Sequence, residues 1–144
     1  MKRAFSDYKE QTQREIYKTV KASHRVMASY HIADADKKIA LLLSAIELDP
    51  KVFNGYNALG WTYVSKGELN KAANAFQAAI HNTPEQKEGY FDLAATYLKM
   101  GDTELCLRFL RQAVKVDPAS KTDLLDNSLF QPIWDNAGYK DLLK

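Results

Sequence analysis

The chain has 144 residues, 46% of them hydrophobic and 26% charged, with only six Gly and four Pro. That is enough for one domain, and the balance excludes a collagen-like or a Pro/Gly-rich disordered chain. Twenty basic and eighteen acidic residues leave a net charge of +2, too mild to point to nucleic acid or an anionic membrane, and the single Cys106 excludes an internal disulfide.

Residues 1–18 are mostly polar, with Lys2, Arg3, Asp7, Lys9, Glu10, Arg14 and Glu15. A signal peptide needs an apolar core of roughly 7–15 residues, and this stretch has none. The longest apolar run, 39–43, falls far short of the roughly 20 residues that span a bilayer. The expectation is a cytoplasmic chain, although a processed exported form would read the same. Residues 6–31 are expected to form one long helix. Ser6 would be its N-cap, and Phe5, Tyr8, Ile16, Tyr17 and Val20 its apolar contacts.

An internal repeat follows. Pro50, Pro84 and Pro118 stand 34 residues apart. In the same register Tyr56 pairs with Tyr90, Leu59 with Leu93, Gly60 with Ala94, Tyr63 with Tyr97 and Gly67 with Gly101. Ala72 pairs with Cys106, Phe76 with Leu110, Ala79 with Ala113 and Ile80 with Val114. Each unit predicts two helices. Over 53–65, Tyr56, Leu59, Gly60 and Tyr63 recur at i, i+3, i+4, i+7, one helical face. Gly67 and Gly101 suit the left-handed residue that ends a helix. The second helix carries Ala72, Ala75, Phe76, Ala79 and Ile80, and the prolines mark the break to the next unit. The small residues let two helices approach closely, while Tyr56, Tyr63 and Phe76 fill the space beside them.

These residues resemble the tetratricopeptide repeat (TPR) family, whose pattern is W-x2-L-G-x2-Y, then Ala, Phe, Ala and Pro over 34 residues. Residues 53–86 fit throughout, with Tyr56 in the Trp position. Residues 87–120 fit with Ala94 for Gly, Cys106 for Ala and Leu110 for Phe. Residues 19–52 fit in their second half, through Asp34, Ile39, Leu42, Ala45, Ile46 and Pro50, while Arg25 and Val26 replace the expected Leu and Gly. The resemblance implies an all-α fold: a right-handed α-solenoid of about three TPR helix pairs with N- and C-terminal capping helices. The expected division of a single domain 1–144 is a cap at 1–18, repeats at 19–52, 53–86 and 87–120, and a closing segment at 121–144.

In the closing segment, 123–127 are expected to start a fourth first-helix. Residues 128–144, with Leu129, Phe130, Ile133, Trp134, Tyr139, Leu142 and Leu143, resemble the short stretch that follows the last repeat in bacterial TPR chains. Pro132 and Gly138 predict a broken pair of short helices there.

No catalytic constellation emerges. G-x-G-x-x-G, Walker, G-x-S-x-G and H-E-x-x-H patterns are all missing from the sequence. His24, His31 and His81 have no further Cys or His at ligand spacing, so neither metal nor cofactor is expected. Cys106 occupies a small-residue position of the repeat and is expected to pack rather than react. Asp34/Asp36 and Asp123/Asp126 are expected to serve as helix-start charges rather than as acid–base pairs.

The resemblance also implies a ligand face, made by positions 2, 5, 9, 12 and 13 of each first helix. In 53–86 these are Asn54, Asn57, Trp61, Val64 and Ser65; in 87–120 they are Glu88, Phe91, Ala95, Leu98 and Lys99. In 19–52 they are Val20, Ser23, Met27, Tyr30 and His31. Trp61 stands out because the core already uses Tyr56 and Tyr63, and exposed Trp anchors are enriched at interfaces. Asn57 offers both a carbonyl and an amide to a peptide backbone. Some TPR co-chaperones clamp a chaperone's C-terminal carboxylate with Lys, Asn and Arg. The matching positions here are Ser23, Met27, Ala58, Glu88 and Asp92, and the last two invert the charge. This argues against a carboxylate-clamp ligand and for an apolar, partly basic one.

The functional expectation is a non-catalytic protein–protein interaction module, an adaptor or scaffold holding a partner's peptide segment in the concave groove. One alternative is a homo-oligomeric scaffold assembled through the terminal helices, with Phe130, Trp134 and Tyr139 as plugs. Another is an accessory subunit or domain of a larger complex.

Overall fold

The computed structural model describes residues 2–144, with side chains from Ser6 onward. Phe5, expected as an apolar contact of the first helix, lies outside the described side chains. The described residues are all helical or irregular, without a strand. The chain divides into two compact units, Met1–Leu59 and Gly60–Lys144.

In the first unit, α1 (Lys2–Ser29) pairs with α2 (Ala35–Leu48). Residues 2–29 hold neither Gly nor Pro, so nothing interrupts α1, and Ser6 lies inside it instead of capping it. At about 1.5 Å per residue, α1 is roughly 42 Å long and α2 roughly 21 Å. The shorter helix can cover only half of the longer one. Ala22, Val26 and Ser29 are buried on α1, and Leu42 and Ala45 on α2. The Arg25 guanidinium donates to the Ser44 carbonyl at 2.9 Å, tying the two helices together. Tyr8, Ile16, Tyr17 and Val20, expected as packing contacts, are instead exposed. Asp34 caps α2 by accepting from the Lys37 N–H at 2.8 Å, and Asp36 stands in its first turn.

Helix α3 (Gly55–Ser65) begins after Asn54, whose φ of +59° is left-handed. The helix expected from residue 53 therefore starts later, because Asn54 turns the chain first. Helix α3 runs across the division between the units.

In the second unit, α4 (Leu69–Asn82), α5 (Lys87–Lys99) and α6 (Thr103–Val116) follow the 34-residue period. Helices α3 and α5 end alike. The Glu68 N–H reaches the Tyr63 carbonyl at 2.9 Å and Gly67 reaches Val64 at 3.0 Å. Asp102 reaches Tyr97 and Gly101 reaches Leu98 at the same distances. Gly67 and Gly101 have φ of +75° and +84°, the left-handed geometry that these paired bonds require. Asp102 then caps α6 through the Leu105 N–H at 2.9 Å.

The expected fourth first-helix is only α7 (Ser120–Leu124), which ends before most of the predicted span 123–127. Its Asp123 binds the Lys87 ammonium at 2.7 Å, and Asp117 binds it at 2.9 Å. These carboxylates, Asp123 foremost, hold the Lys87 pKa well above its ordinary value. The chain continues as a 3-10 helix (Ser128–Ile133) and α8 (Ala137–Leu143). The expected break is real but lies at 134–136, where Asn136 caps α8 through the Gly138 N–H. Gly138 stands in the first turn of α8, not at the break.

Candidate functional site

The family-derived ligand positions fall into three structural settings. On α1, Met27, Val20 and Tyr30 are exposed, Tyr30 just past the helix end. Ser23 is satisfied locally, its hydroxyl donating to the Thr19 carbonyl at 2.9 Å. His31 is exposed in the turn that follows.

Around α3 the setting is mixed. Asn54 is exposed and precedes the helix, whereas Asn57 is half-buried within it. Trp61 is half-buried and stands edge-on to Phe76, with ring centroids 5.6 Å apart and planes at 70°. That geometry is a favoured aromatic arrangement. One side of the indole therefore serves the core of Ala72, Ala73, Phe76 and Leu93. Val64 packs against the same cluster, and Ser65 is exposed.

On α5 the ends and the middle differ. Glu88 and Lys99 are exposed. Between them Phe91, Ala95 and Leu98 join a cluster with Phe130, Ile133, Leu124 and Tyr139. Phe91 and Phe130 have ring centroids 6.2 Å apart. Ala95 is only 2% exposed. Three of the five positions of this helix thus share a core with the chain's own closing segment. Tyr139 fixes that segment by donating from its hydroxyl to the Leu124 carbonyl at 2.7 Å. Phe130 and Tyr139, expected as plugs for a neighbouring molecule, are buried within their own chain. Trp134 alone of the three keeps an exposed face.

Cys106 is buried in this cluster, and burial pushes its thiol pKa up to about 12, with Asp102 adding to the effect. A thiol held protonated in apolar surroundings is a packing group, not a nucleophile. Of the family-derived positions, those exposed on and just after α1 are mainly apolar or aromatic (Val20, Met27, Tyr30), and those exposed around α3 and α5 are polar or charged (Asn54, Ser65, Glu88, Lys99).

The sequence reading missed two features. It places Phe130 and Ile133 in a closing stretch but does not give their packing in one cluster with Phe91 and Ala95. It also assigned Ile16 and Tyr17 to packing, although both are solvent-exposed. Their spacing to Val20 and Met27 was the available signal.

Known proteins bear on this architecture. A family model described as TPR repeat matches residues 60–101, and two described as tetratricopeptide repeat match 41–73 and 88–120. Together they run from 41 to 120, more than half of the chain. No curated protein matches. Solved structures do. MamA is similar at 18% identity and a TM-score of 0.69, over 94% of this chain and 78% of that one. MamA MSR-1 shares 24% identity at a TM-score of 0.58, over 83% of this chain and 64% of that one. MamA AMB-1 shares 23% identity at 0.58, over 82% and 66%. The chain thus spans less than two thirds of the last two. These likenesses establish an all-α fold of the helical-solenoid type. With its repeat period, its paired helix endings and its matching family models, the chain belongs to the tetratricopeptide repeat family.

Proposed function

We propose that this chain is a non-catalytic interaction module that holds a peptide segment of a partner protein against the inner positions of its first helices. The observation that carries the reading is on α1. Val20, Met27 and Tyr30 occupy positions that the repeat gives to ligand, and all three are exposed. Large apolar groups gathered on one exposed helix face mark contact surfaces. The segment the chain binds there is apolar. In the second unit, considered by itself, Trp61 is an aromatic contact group whose indole is only half covered. Among the described residues no helix is long and apolar enough to cross a membrane.

The test is affinity capture from the source lysate, comparing the wild type with Val20→Ala, Met27→Ala and Trp61→Ala combined, both checked by circular dichroism. The expected result is a partner held by the wild type and lost by the folded variant. Equal capture by both would place binding elsewhere and overturn the reading.

A second reading is self-association through α1, favoured by the exposure of Tyr8, Ile16 and Tyr17 on its N-terminal half. Concentration-dependent mass in solution distinguishes it.

A further inference from the structure

We propose that Asn54 is a site of spontaneous deamidation, made reactive when the turn leading into α3 opens and releases the Gly55 N–H. The proposal is independent of which surface holds a partner.

The dipeptide comes first. Of the seven asparagines in the chain, Asn54 alone is followed by Gly. Deamidation begins when the backbone nitrogen of the next residue attacks the asparagine side chain. A β-carbon on that residue crowds the approach, and Gly has none. Asn57, Asn70, Asn74 and Asn82 lie within helices and are followed by Ala, Lys, Ala and Thr. Asn127 and Asn136 are caps whose side-chain oxygens accept the Leu129 N–H at 3.1 Å and the Gly138 N–H at 2.8 Å. Asn54 is exposed and stands before its helix.

The fold holds both residues of the pair in place. Among the described residues Asn54 is the one non-glycine with a left-handed backbone, at φ +59°. Asn takes that conformation more readily than most side chains. A β-carbon at residue 55 would stand 2.6 Å from Cγ1 of Val52 and 3.3 Å from Cγ1 of Ile46. Packing thus requires Gly at 55 and the turn favours Asn at 54, so the chain carries the reactive pair.

The same packing gates the reaction. Gly55 is buried, and its N–H donates to the Val52 carbonyl at 3.1 Å. The nitrogen has to leave that bond to reach the side chain. The turn itself is short: the Val52 N–H reaches the Asp49 carbonyl at 3.0 Å and the Lys51 N–H reaches the Asp49 carboxylate at 2.9 Å. A short turn at a helix end opens locally at far lower cost than the whole fold.

The chemistry balances without oxidant or reductant. The Gly55 nitrogen gives its proton to hydroxide and bonds to Cγ of Asn54. The Cγ–Nδ2 bond breaks, and the amide nitrogen takes a proton from water and leaves as ammonia. Water then opens the cyclic imide. Opening at Cγ gives an aspartate. Opening at the former main-chain carbonyl gives an isoaspartate, with one more carbon in the main chain. In the isoaspartate the carbonyl that accepts the Ala58 N–H at 2.9 Å becomes a free carboxylate at the start of α3.

The test holds the full-length chain and the synthetic peptide 52–66 at mildly alkaline pH, the peptide serving as the unfolded reference. Trypsin cuts after Lys51 and Lys66, so the same segment, with Asn57 as an internal control, is recovered from the chain for mass analysis. An isoaspartyl methyltransferase with a labelled methyl donor is the second probe. Asn54 in the chain is expected to convert ten- to a hundredfold more slowly than in the peptide, and tenfold or more faster than any other Asn. Asn54→Gly, which keeps the left-handed turn but has no amide to lose, is expected to abolish the methyl label. Val52→Ala, folded by circular dichroism, loosens the turn and is expected to speed conversion threefold or more. Val114→Ala makes the same change in the second unit and is expected to leave the rate unchanged. No conversion at Asn54 by the time the peptide has gone to completion overturns the proposal. So does conversion at the peptide's own rate, or a label undiminished in Asn54→Gly. Equal acceleration by the two Val variants overturns it as well, because the reaction would then run through the globally unfolded chain.

Discussion

Gly60 lies against the ring of Phe76. A β-carbon at residue 60 would stand 2.5–2.8 Å from three of its ring carbons. Phe76 is fully buried, and Trp61 packs edge-on against it, so the ring has little room to yield. In the next repeat the corresponding pair is Ala94 and Leu110. A smaller side chain on one helix there accommodates a larger one on the other. Gly60→Ala is therefore expected to cost about 1–3 kcal/mol by overpacking. Adding Phe76→Leu should cost less than the sum of the two single changes, with a coupling of about 1 kcal/mol. Urea unfolding of the four proteins measures this, and strict additivity would contradict the steric account.

The closing segment offers a second test. Phe130 is fully buried, faces Phe91 and belongs to the cluster of Ala95 and Leu110. Phe130→Ala removes a ring from a fully buried site, at an expected cost of about 3–5 kcal/mol. A loss below about 1 kcal/mol in denaturant unfolding would mean that this segment is not part of the core.

How much of this was legible in sequence follows from the range of each interaction. The repeat is local, and the 34-residue spacing of Pro50, Pro84 and Pro118, with Gly67 and Gly101 after the first helices, was enough to give helix order and family. The packing of Phe130 on Phe91 joins residues far apart in the chain. Apolar spacing announces that Phe130 is buried but not which surface it covers. Nor does a pattern of apolar residues on α1 say which of two faces a partner helix takes. Ala22, Val26 and Ser29 are buried on the face that meets α2, and Val20, the same residue type as Val26, is left outside with Met27, so side-chain type alone does not choose the face.

Two buried groups are expected to make the fold sensitive to alkali. Burial pushes the Cys106 thiol up from 9.0 to about 12. Burial also raises the Tyr139 phenol from 10.0 to about 12, against a hydrogen bond with Trp134 that acts the other way. Both groups stay protonated in the fold after they would ionise in the unfolded chain. Their contribution is complete below about pH 9 and is lost as pH rises from there toward 12. Each group steepens the loss by roughly 1.4 kcal/mol per pH unit within its own window. Cys106→Ala, which copies Ala72 of the preceding repeat, should flatten the decline that begins near pH 9. Unfolding curves at pH 8 to 11 would show this, and parallel declines for variant and wild type would contradict it.

The two faces of α1 predict opposite outcomes from neighbouring residues. Val26 is buried and Met27 is exposed. Val26→Asp would place a carboxylate in an apolar contact without a cationic partner, at an expected cost of about 3 kcal/mol or more. Met27→Asp adds a charge to water beside a helix already rich in Lys and Arg, and should change stability by about 0.5 kcal/mol or less. Thermal unfolding by circular dichroism decides between them. A large loss for Met27→Asp would mean that this face is covered within the folded chain, and the contact face on α1 would have to be given up with it.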